Sequence, residues 1–188
     1  MKKLFTMVVV ALTTLTMSAQ DEAKFTFKAG VGLSSIVGSD ADTKTKFAYK
    51  VGASYDVNLA ESFSLIPGIE FVNKGFAQDD IDGDINMFYV QVPVMAAFKC
   101  NLSDNMKLTL KAGPYASYGV LGSDVQIGYY SYNAFDMYEK FDAGIIAGFS
   151  LDINKFSVGA EYSRGLTKVL SGAKAYNQAY GIVVGYKF

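Results

Sequence analysis

Period-two alternation of apolar and polar residues, sustained through eight separate stretches, is the feature that most constrains this chain. In the first stretch Phe25, Phe27, Ala29, Val31 and Leu33 alternate with Thr26, Lys28, Gly30, Gly32 and Ser34. Side chains of an extended strand point alternately to opposite faces, so this segment is a strand with one apolar and one polar side. The pattern recurs over 47–57, 63–71, 88–98, 108–118, 141–151, 156–162 and 180–188. Beyond residue 20 no apolar run reaches the roughly 18 residues that a membrane helix needs.

The connections between the strands alternate in length. Residues 60–62, 101–106 and 154–155 are tight turns, whereas 35–46, 76–85, 119–140 and 167–177 are long loops on the opposite rim. Strands of about ten residues with short turns on one side and long loops on the other predict an eight-stranded antiparallel up-and-down transmembrane β-barrel. A soluble barrel would show the same period with its apolar face turned inward. Two features favour the membrane. The polar face carries Lys28, Lys50, Lys99, Lys111 and Lys187 against Asp56, Glu70, Asp142, Asp152 and Glu161, interspersed with glycines, which suits a cramped lumen of paired ions. The apolar face sets Phe or Tyr at its strand ends, among them Phe25, Phe47, Phe63, Phe88, Tyr118, Phe141, Phe156 and Tyr180, as two interfacial girdles would.

The amino terminus agrees with export. Met1-Lys2-Lys3, an apolar run from Leu4 to Leu15 and then Ser18-Ala19-Gln20 have the layout of a secretory signal peptide over residues 1–19, leaving a barrel domain over 20–188. The expected location is the outer membrane of a Gram-negative bacterium. The chain ends on Phe188 after an alternating aromatic and aliphatic strand, resembling the carboxy-terminal signal read by barrel assembly machinery, an expected partner.

Four motifs carry a family resemblance. Leu65-Ile66-Pro67-Gly68-Ile69-Glu70 with Lys74-Gly75, Tyr89-Val90-Gln91-Val92-Pro93-Val94, Ala112-Gly113-Pro114-Tyr115 and Phe141-Asp142-Ala143-Gly144 together resemble the small outer-membrane β-barrel domain of Bacteroidetes, the PorT-like family. Gln91 stands where that family often has Glu. The resemblance implies a barrel without assigned chemistry, one branch being linked to protein secretion and gliding. Proline removes a ladder donor, so Pro67, Pro93 and Pro114 are expected at bulges or frayed strand ends.

Candidate sites follow from position. Lys28, Glu70, Lys111 and Glu161 fall near mid-depth and are expected to form a closed ion-pair cluster in the lumen, a narrow ion path being the sharper alternative. Asp79, Asp80, Asp82 and Asp84 crowd one outer loop. They suit a solvated hairpin tip or a weak calcium site, although Gly83 comes one position early for an EF-hand and Gln91 replaces its bidentate Glu. Tyr129, Tyr130, Tyr132, Phe135 and Tyr138 enrich the longest loop in residues typical of binding surfaces, for an envelope protein, a glycan or the loop's own neighbours. Lys44, Lys46, Lys74, Lys140, Lys168 and Arg164, the single arginine, are placed at the outer rim, where Arg164 and Lys168 suit lipopolysaccharide phosphates.

Composition removes other classes. A net charge of -1 gives no basic surface for nucleic acid. The absence of histidine removes serine triads and the usual zinc hydrolase sites, and one cysteine, Cys100, builds neither an intrachain disulfide nor, alone, a zinc or iron–sulfur site. Asp142 and Glu161 as paired hydrolytic carboxylates have no distinguishing spacing, so no enzyme and no cofactor are expected. The expected role is structural or interaction through the long outer loops, the alternative being a narrow channel or a transport or secretion accessory barrel.

Overall fold

The computed structural model describes residues 24–39, 41–77, 85–127, 130–170 and 172–188. The expected signal peptide over 1–19, the acids Asp79, Asp80, Asp82 and Asp84, and Tyr129 lie outside them. Eight long strands form one closed antiparallel barrel: β1 (Lys24–Gly38), β2 (Lys46–Ala60), β3 (Phe63–Phe76), β4 (Ile85–Ser103), β5 (Met106–Gly122), β6 (Phe141–Ile153), β7 (Phe156–Gly165) and β8 (Tyr176–Lys187). Each pairs with its sequence neighbour, and β8 closes on β1 from Thr26↔Lys187 to Val37↔Tyr176. A short hairpin, Asp124–Ile127 with Tyr130–Asn133, and a helical turn α1 (Ala134–Met137) rise from the loop after β5.

The stagger of the barrel can be followed through its paired residues. Cross-strand partners run from Phe47 to Leu33, Tyr180, Tyr162, Ala147, Ala112, Ala96 and Leu65, and return to β2 at Val57, ten residues below the start. Eight strands with that shift are inclined by roughly 40° to the barrel axis. Strands distant in sequence order therefore meet inside at levels that a single strand's pattern does not reveal.

The lipid-facing alternation holds, with Phe27, Val31, Phe47, Ile69, Leu110, Phe149 and Ile182 all exposed and lysines, acids and glycines turned inward. Val57, expected outward, is instead 4% exposed, close to the register shift between Asn58 and Ala60. The prolines sit neither at bulges nor at ends. Beside each, the ladder omits two rungs and resumes in the same register: Ser54 to Val57 beside Pro67, Pro67 to Glu70 beside Pro93, and Pro93 to Ala96 beside Pro114. Intact pairs on both sides hold alignment, so a missing donor costs a local bond and not the strand.

Inward glycines owe their place to backbone as well as to crowded ions. A Cβ on Gly32 would lie 2.1 Å from the Tyr180 carbonyl oxygen, and one on Gly113 would lie 2.1 Å from that of Val94. In a barrel this narrow the neighbouring strand occupies the space of an inward side chain.

Two apolar clusters interrupt the polar interior. Ile66, Met95, Ala97, Tyr115 and Ile146 pack together within the lumen. Ile36, Phe76, Ile85, Met87 and Tyr89 from the wall meet Ala134, Val169 and Ala175 from the outer loops, with Phe135, Tyr138 and Ala173 packed against them. The second cluster closes the outer mouth. The opposite mouth opens as a polar funnel of about 580 Å³ lined by Asp56, Asn58, Lys99, Asp104, Lys107 and Lys187 among others.

Candidate functional site

The inward face of the strands organises its charges in three tiers. At mid-depth Glu70 on β3 and Glu161 on β7 collect lysines from three other strands. Lys28 on β1 pairs with Glu70, Lys50 on β2 pairs with Glu161 and stands 3.7 Å from Glu70, and Lys111 on β5 lies 2.6 Å from Glu161. Gln91 on β4 donates to the second Glu70 oxygen at 3.0 Å. The four residues expected to meet do meet, joined by Lys50, which links the two glutamates. Buried carboxylates and ammoniums are tolerable only with opposite charge and hydrogen-bond partners in contact, and this chain of contacts supplies both.

The outer tier centres on Lys74 and Asp142, both 2% exposed at the side chain and 2.8 Å apart. Tyr115 Oη donates to Asp142 Oδ2 at 3.0 Å, Ser117 Oγ approaches the same oxygen at 3.4 Å, and Thr167 Oγ1 approaches Oδ1 at 3.3 Å. The Lys74 ammonium lies 4.4 Å from the centre of the Tyr115 ring and 5.3 Å from that of Tyr89. Lys74, expected at the outer rim, is thus an interior residue, and so is Lys46, whose Nζ donates to Asn73 Oδ1 at 3.0 Å and to Asn86. Both share the inward phase of their strands, Lys74 with Ser64 and Glu70 and Lys46 with Lys50. That phase was the available signal. The inner tier pairs Lys99 with Asp56 and Lys187 with Asp152, each at 2.7 Å, near the funnel.

The internal space between tiers is small. Among the described residues, cavities of about 50 and 40 Å³ lie between the outer, middle and inner charges, each with room for a few waters.

The aromatic outer loop divides. Phe135 packs edge-on to Tyr89 with ring centres 5.5 Å apart, and Tyr138 packs edge-on to Phe76 at 5.6 Å. These two are parts of the closure and not of a free binding surface. Asn133 caps α1 by accepting from the Phe135 backbone N–H at 3.0 Å and ties the turn to β5 by donating to the Gly122 carbonyl at 2.9 Å. Burial pushes the Tyr138 phenol above its ordinary pKa. Tyr132 is 44% exposed, and it shares the short strand Tyr130–Asn133 with Tyr130. Among the described residues no three metal-ligating side chains cluster. Asp142 and Glu161 are each committed to lysines in different tiers, so they do not form a carboxylate pair.

On the outer wall, Arg164 Nη1 donates to Gln178 Oε1 at 3.0 Å, and its guanidinium carbon lies 5.7 Å from the Tyr176 ring centre. Lys140 and Lys168 are exposed. At the closing seam the Phe188 backbone N–H donates to the Phe25 carbonyl at 2.9 Å, and its ring stands 5.0 Å from that of Tyr186.

A closed eight-stranded wall, apolar outside, with an ion-paired interior, defines an outer-membrane β-barrel. The chain belongs to the family described as outer membrane protein beta-barrel domain, which it matches over residues 18–171. Its backbone is similar to that of Neisserial surface protein A (TM-score 0.59, 13% identity, covering 89% of this chain and 100% of that one). It is also similar to the outer membrane enzyme PagL (0.55, 12%, 86% and 98%) and to the outer membrane protein OprG from Pseudomonas aeruginosa (0.50, 10%, 89% and 97%). At these identities the likeness is one of fold. No curated protein sequence matches the chain.

Proposed function

We propose that the protein is a non-conducting barrel of the outer membrane that acts at its outer surface, as a structural or partner-binding protein. The observation that carries this reading is the closed outer mouth. Wall residues Phe76, Ile85, Met87 and Tyr89 and loop residues Ala134, Val169 and Ala175 are buried together above a lumen filled by its own ion pairs. An ion entering from the funnel meets a chain of neutralised charges and then an apolar layer, which opposes passage by desolvation. Catalysis has no place in this reading, since the chain has no histidine and its buried acids are held by lysines. The exposed Tyr132 and its neighbours in the longest loop are the surface offered to an envelope protein or glycan.

The test is conductance in a planar bilayer, with folding shown first by the mobility of an unboiled sample on a gel. A folded, silent barrel is the expected result. Discrete current steps that change in Glu70→Ala or Lys111→Ala would overturn the reading in favour of a narrow channel or a transport accessory.

Two finer assignments belong with this proposal. Residues 1–19 are read as a cleaved export signal, so the mature amino terminus in the outer-membrane fraction is expected at Gln20. Membership of the PorT-like family is the finer reading of the resemblance, and its motif residues meet in the barrel: Glu70 and Gln91 share a hydrogen bond, and Lys74, Tyr115 and Asp142 form one buried cluster. Phe188, 66% exposed at the end of β8, is available to assembly machinery.

A further inference from the structure

The geometry points to a lipid-phosphate site on the outer wall, built by Arg164 and Gln178 on a Tyr176 platform and facing the lipid A of the outer leaflet. Arg164 continues the outward phase of β7, one rung above Tyr162 and Tyr180, which face each other across β7 and β8. Both of those tyrosines are exposed members of the outer aromatic girdle, at 42% and 44%. A guanidinium at this level cannot be left in hydrocarbon and turns toward the headgroups.

The cation is also positioned. Gln178 Oε1 accepts from Arg164 Nη1 at 3.0 Å and from the Tyr162 hydroxyl at 3.3 Å. The Tyr176 ring supports the guanidinium at 5.7 Å. No carboxylate among the described residues pairs with Arg164. Its remaining N–H donors lie in one plane, the arrangement with which a guanidinium holds two phosphate oxygens at once, and Gln178 fixes the direction of that plane. Lys168, exposed four residues further along the chain, adds a second positive charge on the same rim. Because the long loops mark this rim as external, the phosphate within reach is that of the outer leaflet, which in such membranes is lipid A.

The test uses the full barrel in phosphatidylcholine vesicles with and without lipid A, reading the thermal unfolding midpoint by gel mobility. Lipid A is expected to raise the midpoint of the wild type, Arg164→Lys to keep part of the rise, Gln178→Ala to reduce it, and Arg164→Ala to abolish it. Lys155→Ala, at the periplasmic turn, is expected to keep the full rise. Dephosphorylated lipid A is expected to have no effect, and phosphatidylglycerol a smaller one. Should Arg164→Ala fail to fold, Arg164→Lys and Gln178→Ala carry the comparison. An undiminished rise in Arg164→Ala or Gln178→Ala, an equal loss in Lys155→Ala, or a full rise with the dephosphorylated lipid would overturn the site. A rise with phosphatidylglycerol as large as with lipid A would overturn the choice of lipid.

Discussion

Replacing Lys74 by methionine tests whether the buried pair at the outer end of the lumen holds the barrel by charge compensation. The substitution keeps most of the side chain's length and removes its ammonium from a site 2.8 Å from Asp142. Asp142 would remain buried with only hydroxyl donors, from Tyr115 at 3.0 Å, Thr167 at 3.3 Å and Ser117 at 3.4 Å. Leaving one member of a buried pair uncompensated costs about 3–5 kcal/mol, and the hydroxyls place this case near the lower end. Losing the cation from between the Tyr89 and Tyr115 rings adds about 1 kcal/mol, for a total of about 4 kcal/mol. Asp142→Asn, which strands Lys74, is expected to cost a similar amount. The double variant Lys74→Met with Asp142→Asn buries no charge and keeps an acceptor for Tyr115, so its loss should be about 1–2 kcal/mol. The cycle therefore predicts a coupling energy of roughly 6–7 kcal/mol. Urea unfolding in lipid vesicles measures it, followed by tyrosine fluorescence since the chain has no tryptophan, with unchanged slope as the check on two-state behaviour. A double variant whose loss equals the sum of the single losses would refute the charge argument, as would a Lys74→Met loss below about 1 kcal/mol.

The closure of the outer mouth makes a second prediction: a Cβ on Gly119 would lie 2.2 Å from the Phe135 ring, so Gly119→Ala should push α1 off its seat. Limited proteolysis within residues 134–138 should accelerate, and unchanged cleavage would count against the packing. Gly32→Ala sets a methyl 2.1 Å from the Tyr180 carbonyl at the β1–β8 seam, and the yield of folded, gel-shifted barrel should fall, whereas Gly185→Ala, where the closest atom is a side-chain methyl at 3.1 Å, should fold nearly normally. Asn154 holds φ at 53° in the tight β6–β7 turn, so Asn154→Val should destabilise by about 1–2 kcal/mol in the same urea assay while Asn154→Gly stays near wild type.

Most of the wall was legible because each strand carries its own record of which side faces lipid. Alternation needs no knowledge of the neighbours, so the faces of β1 and β6 follow residue by residue. Contacts across the lumen are different. Lys50 was placed on the polar face, yet its role as the link between Glu70 and Glu161 depends on the ten-residue stagger, which belongs to the closed barrel and to no single strand. Lys74 and Lys46 read as rim residues because they fall beyond the clearest alternation, although their even positions keep them in phase with Glu70 and Lys50. Phase was the better guide than distance from the girdle. Phe135 and Tyr138 illustrate the opposite difficulty, since a Tyr-rich loop has the same composition whether it meets a partner or folds down over its own barrel. What decides is the apolar ring of Ile36, Phe76, Ile85 and Met87 waiting at the mouth, contributed by β1, β3 and β4.

That closure also links the outer surface to the charged interior. Thr167, the second residue after β7, approaches Asp142 through its hydroxyl and accepts the Ala143 backbone N–H at 2.9 Å. Two residues on, the Val169 N–H donates to Ala175 at 2.9 Å, and both side chains are buried in the mouth cluster. The same carboxylate that neutralises Lys74 thus helps to fix the loop that covers it. If this link is mechanical, the Lys74→Met variant should lose protection of the loop over 166–170 before it loses the barrel, because Asp142 would be free to turn away from Thr167 while the ladder stays paired. Hydrogen exchange of the Leu166 and Thr167 amides, which donate to the Ala143 carbonyl at 2.8 and 3.2 Å, reads this directly. Faster exchange there, with the β6 amides unchanged, would show that the buried pair orders the outer surface. Simultaneous loss of both would mean that the pair supports only the wall.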